Sequence, residues 1–144
     1  MSTTYIIRSS EEAEQQIVIQ WARMTSGRWP QLTLLHHIPN GGSRNKKEAI
    51  KLKRMGVLAG VADLHLPVAR SGYHGLYIEM KYGDGRLLKS QREFLKNAAS
   101  EHNYCIVCYS AADAIEAIDN YMHNRAPFEN LSILKGGKKS GTVK

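Results

Sequence analysis

The apolar positions along the chain follow two patterns, one with helical spacing and one made of short unbroken runs. The first helical stretch follows Ser10, a residue type that caps helices well, and its acidic first turn suits a helix N-terminus. Its apolar stripe comprises Ala13, Ile17, Val18, Trp21 and Met24. Further helices are predicted from Arg44 to Met55, from a capping box at residues 90–93, and from Ser110 to Met122.

Four apolar runs between these helices predict β-strands, at residues 31–38, 61–68, 76–81 and 104–109. A Ser71–Gly72 turn joins the second and third runs as an antiparallel hairpin, whereas a helix separates the third from the fourth. The fourth run is apolar at nearly every position, which is typical of a strand buried on both faces. The predicted order, α-β-α-β-β-α-β-α, indicates an α/β fold with helices flanking a small mixed sheet.

Length and composition indicate one globular domain. The chain has 144 residues, of which 42% are hydrophobic and 23% charged, an ordinary balance for a single soluble domain. It has no long apolar run and no secretory signal pattern, so we expect a cytoplasmic protein. The predicted domain spans residues 1–129 and a flexible basic tail spans 130–144. Cys105 and Cys108 would point to opposite faces of one strand, which disfavours a disulfide.

Positive charge is concentrated in two places. The chain carries a net charge of +7, and the tail after Glu129 has four lysines and no acid. In the predicted second helix, Arg44, Lys47, Lys51 and Arg54 have the spacing of a single face. Both concentrations fit a polyanionic partner such as DNA. A solvated surface helix with a flexible tail explains the charge equally well.

Three acidic residues occupy positions where structure alone favours apolar side chains. Glu14 lies in the middle of the predicted apolar arc of the first helix, and Asp63 lies inside an apolar strand. Glu79 and Lys81 are two apart on the next strand, so both side chains leave the same face. Taken singly, each also fits a structural role: a salt bridge at the helix edge, a bulge position, or a solvent-facing ion pair.

Taken together, these residues indicate a metal-dependent site. Glu14, Asp63 and Glu79 would crowd one end of the predicted hairpin, and clustered carboxylates repel one another unless a divalent cation neutralises them. Oxygen ligands suit Mg²⁺, with Mn²⁺ as a substitute. Lys81 would orient water or stabilise phosphate charge, and Gln91 faces inward from the next helix. Such groups suit metal-assisted phosphodiester hydrolysis.

At these residues the chain resembles the PD-(D/E)xK nuclease superfamily, and more narrowly the stand-alone VRR-NUC domains of phages and bacteria. The matching segments are E14-x-x-I, H37-I-P-N-G-G, G56-V-L-A-G-V-A-D-L-H-L, G75-L-Y-I-E-M-K and Q91-R-E-F-L. They extend over roughly residues 11 to 125. Two departures are visible: Ala62 stands where the family usually has proline, and Asn103 where a glycine commonly ends the third helix.

The resemblance implies a restriction-endonuclease-like core and a role for each matched residue. Glu14, Asp63 and Glu79 become the metal-binding acids, and the backbone carbonyl of Met80 is a further ligand. Lys81 becomes the catalytic lysine and Gln91 the supporting glutamine of a magnesium-dependent endonuclease.

Several DNA contacts are predicted less specifically. His37, Asn40 and the basic face of Arg44, Lys47, Lys51 and Arg54 are candidates for phosphate binding, although a histidine beside a turn is often structural. Tyr73, Tyr77 and Tyr82 are candidates for base stacking, with core or hairpin packing as the alternative.

The substrate expected from the resemblance is branched DNA, including four-way (Holliday) junctions. Cutting both strands of a junction needs two active sites, so a two-fold homodimer is expected. Its predicted contact surfaces are Tyr5–Ile7 and the segment around Phe128, Leu131 and Ile133. A flap or nicking nuclease, and a non-catalytic DNA-binding module of the same fold, are the alternatives. A small-molecule phosphatase fits the basic helix and tail poorly.

Overall fold

The order of helices and strands agrees with the prediction, and one 3₁₀ turn is added. A computed structural model of the protein describes residues 9–39 and 45–127. The elements are α1 (Glu11–Thr25), the 3₁₀ turn (Pro30–Leu34), β1 (His36–His37), α2 (Lys46–Arg54), β2 (Leu64–Leu66), β3 (Leu76–Met80), α3 (Lys89–Ser100), β4 (Tyr104–Cys108) and α4 (Ala111–Met122). No helix among these residues is long and apolar enough to cross a bilayer.

The strands form one mixed sheet in the order β1-β2-β3-β4. β2 and β3 pair as the predicted antiparallel hairpin, with Leu64 opposite Ile78. β3 and β4 run parallel, with Ile78 opposite Ile106, and α3 is the connection between them. Parallel pairing places the C-terminal ends of β3 and β4 at the same end of the sheet, where the Lys81 amide donates to the Cys108 carbonyl at 2.8 Å.

The sheet is packed on both faces. Residues of α1 and α4 join one core cluster with the inward side chains of the strands, while Leu95 of α3 belongs to a second cluster on the opposite face. Cys108 lies in the first cluster and Cys105 in the second. Both thiols are buried and unbridged, which confirms the prediction that this pair forms no disulfide.

The predicted strand over residues 31–38 is wrong for most of its length. Pro30 starts a 3₁₀ turn instead, and the Thr33 hydroxyl donates to the Pro30 carbonyl at 2.8 Å. The Arg23 guanidinium of α1 donates to the carbonyls of Leu32, Thr33 and Leu35 at 3.0–3.2 Å. These contacts satisfy the backbone without strand pairing, so only His36–His37 joins the sheet.

The buried side of α1 is rotated relative to the predicted apolar stripe. Val18 and Ala22 are fully buried, whereas Ile17 and Met24 are 47% and 78% exposed. On a helical wheel with about 100° per residue, the midpoint between Val18 and Ala22 lies roughly 60° from Glu14, at the angle of Glu11. Glu11 thus lies on the same side of α1 as Val18 and Ala22, but at the exposed start of the helix, whereas Glu14 is half-buried.

Candidate active site

A buried carboxylate and a buried ammonium group lie side by side at the end of β3. Glu79 is 1% exposed and Lys81 is 8% exposed, and their Oε1 and Nζ atoms are 3.6 Å apart. The second carboxylate oxygen of Glu79, Oε2, is buried and has no hydrogen-bond partner among the described residues. Because a buried unpartnered polar atom is costly, this oxygen indicates a place for a ligand. The predicted solvent-facing ion pair is therefore excluded.

Asp63 is held by both of its neighbouring strands. Its Oδ2 atom accepts from the Met80 backbone amide at 2.7 Å. Its own carbonyl accepts from the Ile38 amide at 2.8 Å and lies 2.8 Å from His37 Nδ1. A Nδ1–H tautomer of His37 donates in that contact. The acid is thus fixed between β1 and β3, and its side chain is directed toward the Glu79 end of the sheet.

The Asp63 carboxylate affects the protonation of Glu79. Burial and the neighbouring Asp63 carboxylate raise the pKa of Glu79 to about 8, while Lys81 acts in the opposite direction. The Asp63 and Glu79 carboxyl groups are within hydrogen-bonding reach, but two ionised carboxylates can only accept. Either a proton or a cation must therefore lie between them to relieve the repulsion.

Gln91 connects the lysine to α3. Its Oε1 atom accepts from Lys81 Nζ at 2.9 Å and from the Leu88 backbone amide at 2.9 Å. The second bond satisfies the amide of Leu88, the residue before α3. The capping box predicted from Ser90 is wrong, because α3 already begins at Lys89 and Leu88 has no side-chain acceptor. The predicted inward orientation of Gln91 is confirmed, and its amide fixes the position of the lysine head group.

Gly60 permits the close approach that brings these elements together. Its φ of +88° lies in a region that side chains disfavour. A Cβ at this position would also overlap the backbone of Ser90. The segment leading to Asp63 therefore packs directly on the first turn of α3, beside Gln91. No local pattern in the sequence singles out Gly60, because its contact joins distant parts of the chain.

Glu11 of α1 interacts electrostatically with this cluster, although its side chain is exposed. Burial and the Asp63 carboxylate raise the pKa of Glu11, while Lys81 lowers it, and Glu11 in turn raises the pKa of Glu79. Glu14, the residue expected here, is half-buried and lies one turn further along α1. A helical wheel centred on Val18 and Ala22 rather than on Ile17 and Met24 would have pointed to Glu11.

These acids do not form a complete ligand shell by themselves. In the described part of the chain, no group of three or more His, Cys, Asp or Glu side chains is arranged to hold a metal ion. The arrangement instead brings the Asp63 and Glu79 carboxyl groups within hydrogen-bonding reach, and Glu11 raises the pKa of Glu79. Oxygen donors of this kind suit a hard divalent cation that keeps several of its waters.

The predicted DNA-binding residues lie outside this cluster or contact it only through the backbone. His37 is exposed and touches the Asp63 carbonyl. Lys47, Lys51 and Arg54 are exposed on α2, a helix that has no buried residue. Asn40 and Arg44 lie outside the described residues.

Two comparisons with known proteins identify the family. The model of the VRR-NUC domain matches residues 4–112. A solved structure described as a VRR_NUC domain protein is 31% identical, with a TM-score of 0.70, and the match covers 85% of this chain and 94% of that one. Among curated proteins, none matches the chain. Because the family model spans well over half of the sequence, the chain belongs to the VRR-NUC domain family and has its nuclease-type fold.

Proposed function

We propose that this protein is a metal-dependent, structure-selective DNA endonuclease that hydrolyses phosphodiester bonds in branched DNA such as four-way junctions. The observation that carries the proposal is the buried Glu79 carboxylate. One of its oxygens has no hydrogen-bond partner within residues 9–39 and 45–127, and the carboxylate lies beside a second carboxylate and a buried lysine. A hydrophobic residue would stabilise this position better if its role were only structural.

The residues present fit Mg²⁺, with Mn²⁺ as a substitute. Asp63, Glu79 and the backbone carbonyl of Met80 would hold the ion, and Glu11 is the nearby acid of α1 that would complete the set. Glu14 is the alternative for that last place. When bound, the ion supplies positive charge that stabilises the phosphate and lowers the pKa of a bound water.

The remaining chemistry belongs to Lys81 and Gln91. Lys81 is buried, and Gln91 holds its head group through a 2.9 Å hydrogen bond. A lysine fixed in this way presents N–H donors to an attacking water or to a non-bridging phosphate oxygen without having to reorganise. Gln91 therefore acts as a positioning residue for Lys81.

DNA binding would rest on charge and shape. The exposed face of α2 presents Lys47, Lys51 and Arg54, and the helix contains one acid, Glu48. Neutralising phosphates releases counterions, so this contribution to binding should be strongly salt-dependent.

A two-fold homodimer is part of the proposal, because paired cuts across a junction need two active sites. Exposed apolar side chains on and after α2 support it: Ile50, Met55 and Leu58 are 45%, 71% and 59% exposed. An isolated helix as short as α2 is only marginally stable in water, so a partner surface would stabilise it. The contact surfaces expected from the sequence, Tyr5–Ile7 and Phe128–Ile133, lie outside the described residues.

Cleavage of four labelled substrates side by side tests the proposal: continuous duplex, flap, splayed arm and four-way junction, each with Mg²⁺ and with Mn²⁺. Lys81→Met serves as the inactive control, and exposed Lys96→Met as the control for loss of a surface charge. We expect the wild-type protein to cut the junction fastest. Fastest cutting of the flap would favour the alternative flap nuclease, and binding without cutting would favour a non-catalytic module.

A further inference from the structure

Tyr82 carries an exposed aromatic ring and directly follows Lys81 of the candidate active site. Of the three tyrosines considered for base stacking, Tyr73 is 4% exposed. Tyr77 is half-buried. Its ring stacks on His65, with the ring centroids 4.2 Å apart, and meets Phe94 edge-on, with the centroids 5.2 Å apart. Tyr82 is 44% exposed. The structure thus assigns packing roles to the first two rings and leaves the third facing solvent.

The backbone around Tyr82 is held from several directions. The Gly85 amide donates to the Tyr82 carbonyl at 3.0 Å, closing a tight turn in which Gly83 has a φ of +59°. The Tyr109 hydroxyl donates to the Gly85 carbonyl at 3.1 Å, which ties the turn to the residue after β4. An aromatic ring on a fixed turn loses little conformational entropy when it binds a ligand.

The position of Tyr82 in the chain relates it to the reacting phosphate. It directly follows Lys81, so the two Cα atoms are about 3.8 Å apart. Lys81 is the cation placed at the scissile phosphate in the proposed function. The turn that carries Tyr82 also packs against the Lys81 side chain, because a Cβ added at Gly85 would lie 3.6 Å from Lys81 Cδ. A nucleotide that flanks a phosphate bound at Lys81 would therefore pass this turn.

We propose that Tyr82 stacks on an unpaired nucleobase next to the scissile phosphate and so favours branched or frayed DNA over continuous duplex. This inference rests on the proposed nuclease function. Every base has an aromatic face, so stacking tolerates any sequence. In a continuous duplex both faces are covered by neighbouring bases, whereas at a branch point or flap a face is free. The ring would therefore recognise the structure of the DNA and not its sequence.

Three substitutions separate stacking from other roles of this side chain. Tyr82→Phe keeps the aromatic face and removes the hydroxyl, Tyr82→Leu keeps apolar bulk without a planar ring, and Tyr82→Ala removes both. Single-turnover cleavage is measured on splayed-arm and continuous duplexes of the same sequence. We expect the splayed-to-duplex rate ratio to fall about tenfold for Tyr82→Leu and Tyr82→Ala, and to be retained by Tyr82→Phe.

A fluorescent base gives a second readout that does not depend on cleavage. 2-Aminopurine is placed at the unpaired nucleotide of the splayed arm, and protein is added without a divalent ion. Quenching by the wild-type protein and by Tyr82→Phe, but not by Tyr82→Leu, would support stacking. Equal quenching by all variants, or an unchanged rate ratio, would overturn it. If the wild-type protein quenches but cuts nothing, the nuclease proposal fails while the stacking contact stands.

Discussion

The Nζ atom of Lys81 and the Oε1 atom of Gln91 are joined by a 2.9 Å hydrogen bond, across the gap between β3 and α3. The same oxygen accepts from the Leu88 amide at 2.9 Å. One side-chain atom thus caps the helix and orients the lysine, so the start of α3 and the position of the cation depend on each other.

Gln91→Ala removes both of these hydrogen bonds. We expect the cleavage rate to fall about 10- to 100-fold, because Lys81 loses its orientation, and the free energy of unfolding to fall by roughly 0.5–1.5 kcal/mol, because α3 loses its cap. Gln91→Glu keeps an acceptor for both donors and should retain more activity than the alanine variant. Rate measurements with chemical denaturation of both variants check this. Equal rates for Gln91→Ala and wild type would contradict the positioning role.

Substitutions separate Glu11 from Glu14 as the metal-binding acid of α1. Glu11→Gln should raise the Mg²⁺ concentration needed for half-maximal cleavage by about tenfold or more, because it removes the acid that interacts with Asp63 and Glu79. Glu14→Gln should have a smaller effect, and exposed Glu12→Gln serves as the control. Magnesium titrations of the cleavage rate compare the three. A larger effect at Glu14 than at Glu11 would restore the assignment made from the apolar stripe.

Glu79→Gln should stabilise the metal-free protein at neutral pH. The pKa of Glu79 is raised to about 8 in the folded state, from 4.5, so the folded state binds the proton more tightly. Stability is therefore lost as pH rises from about 4.5 to about 8. We expect the variant to exceed the wild type by roughly 1–3 kcal/mol at pH 8 and to differ little near pH 4.5.

Thermal melts in chelator across this pH range check the prediction for Glu79, and added Mg²⁺ should raise the Tm of the wild type more than that of the variant. A wild-type protein that is more stable than Glu79→Gln at pH 8 without metal would contradict it.

Gly60→Ala should be far more damaging than Gly56→Ala. Both glycines have positive φ, +88° and +102°, but a Cβ at Gly56 meets nothing within 4 Å whereas one at Gly60 overlaps the Ser90 backbone. We expect a loss of about 2–4 kcal/mol of unfolding free energy at Gly60 and about 1 kcal/mol at Gly56. Denaturant unfolding measures both. Similar losses would mean that backbone strain alone, and not the close approach to α3, requires glycine.

Local sequence patterns predicted much of this architecture. The Ser71–Gly72 turn between two apolar runs indicated the β2–β3 hairpin, and two-residue alternation placed Glu79 and Lys81 on one face of β3. The inward position of Gln91 followed from its spacing with Phe94 and Leu95. Each of these inferences depends on residues close together in the chain, where periodicity alone determines which side chains share a face.

Tertiary packing decided the features that the patterns missed. Hydrophobicity could not show that Ile17 and Met24 are exposed while Ala22 is fully buried, because small residues give a weak apolar signal yet pack closely against α4. The rotation places Glu11 on the same side of α1 as these buried residues, and its charge raises the pKa of Glu79. Likewise, Gly60 is required by the backbone of Ser90, some thirty residues away in the chain, and no local pattern records that contact.

The most direct test of the central claim is single-turnover cleavage of a labelled four-way junction by the wild-type protein and by Glu79→Gln, in Mg²⁺, at protein concentrations where gel shifts show equal occupancy of the DNA. We expect the wild type to cut the junction, and Glu79→Gln to bind it as well or better while cutting about a hundred- to a thousandfold more slowly, the order of magnitude lost with a principal transition-state interaction. A variant that cuts at the wild-type rate would contradict the account. A wild-type protein that binds the junction fully and leaves every phosphodiester intact would also contradict it.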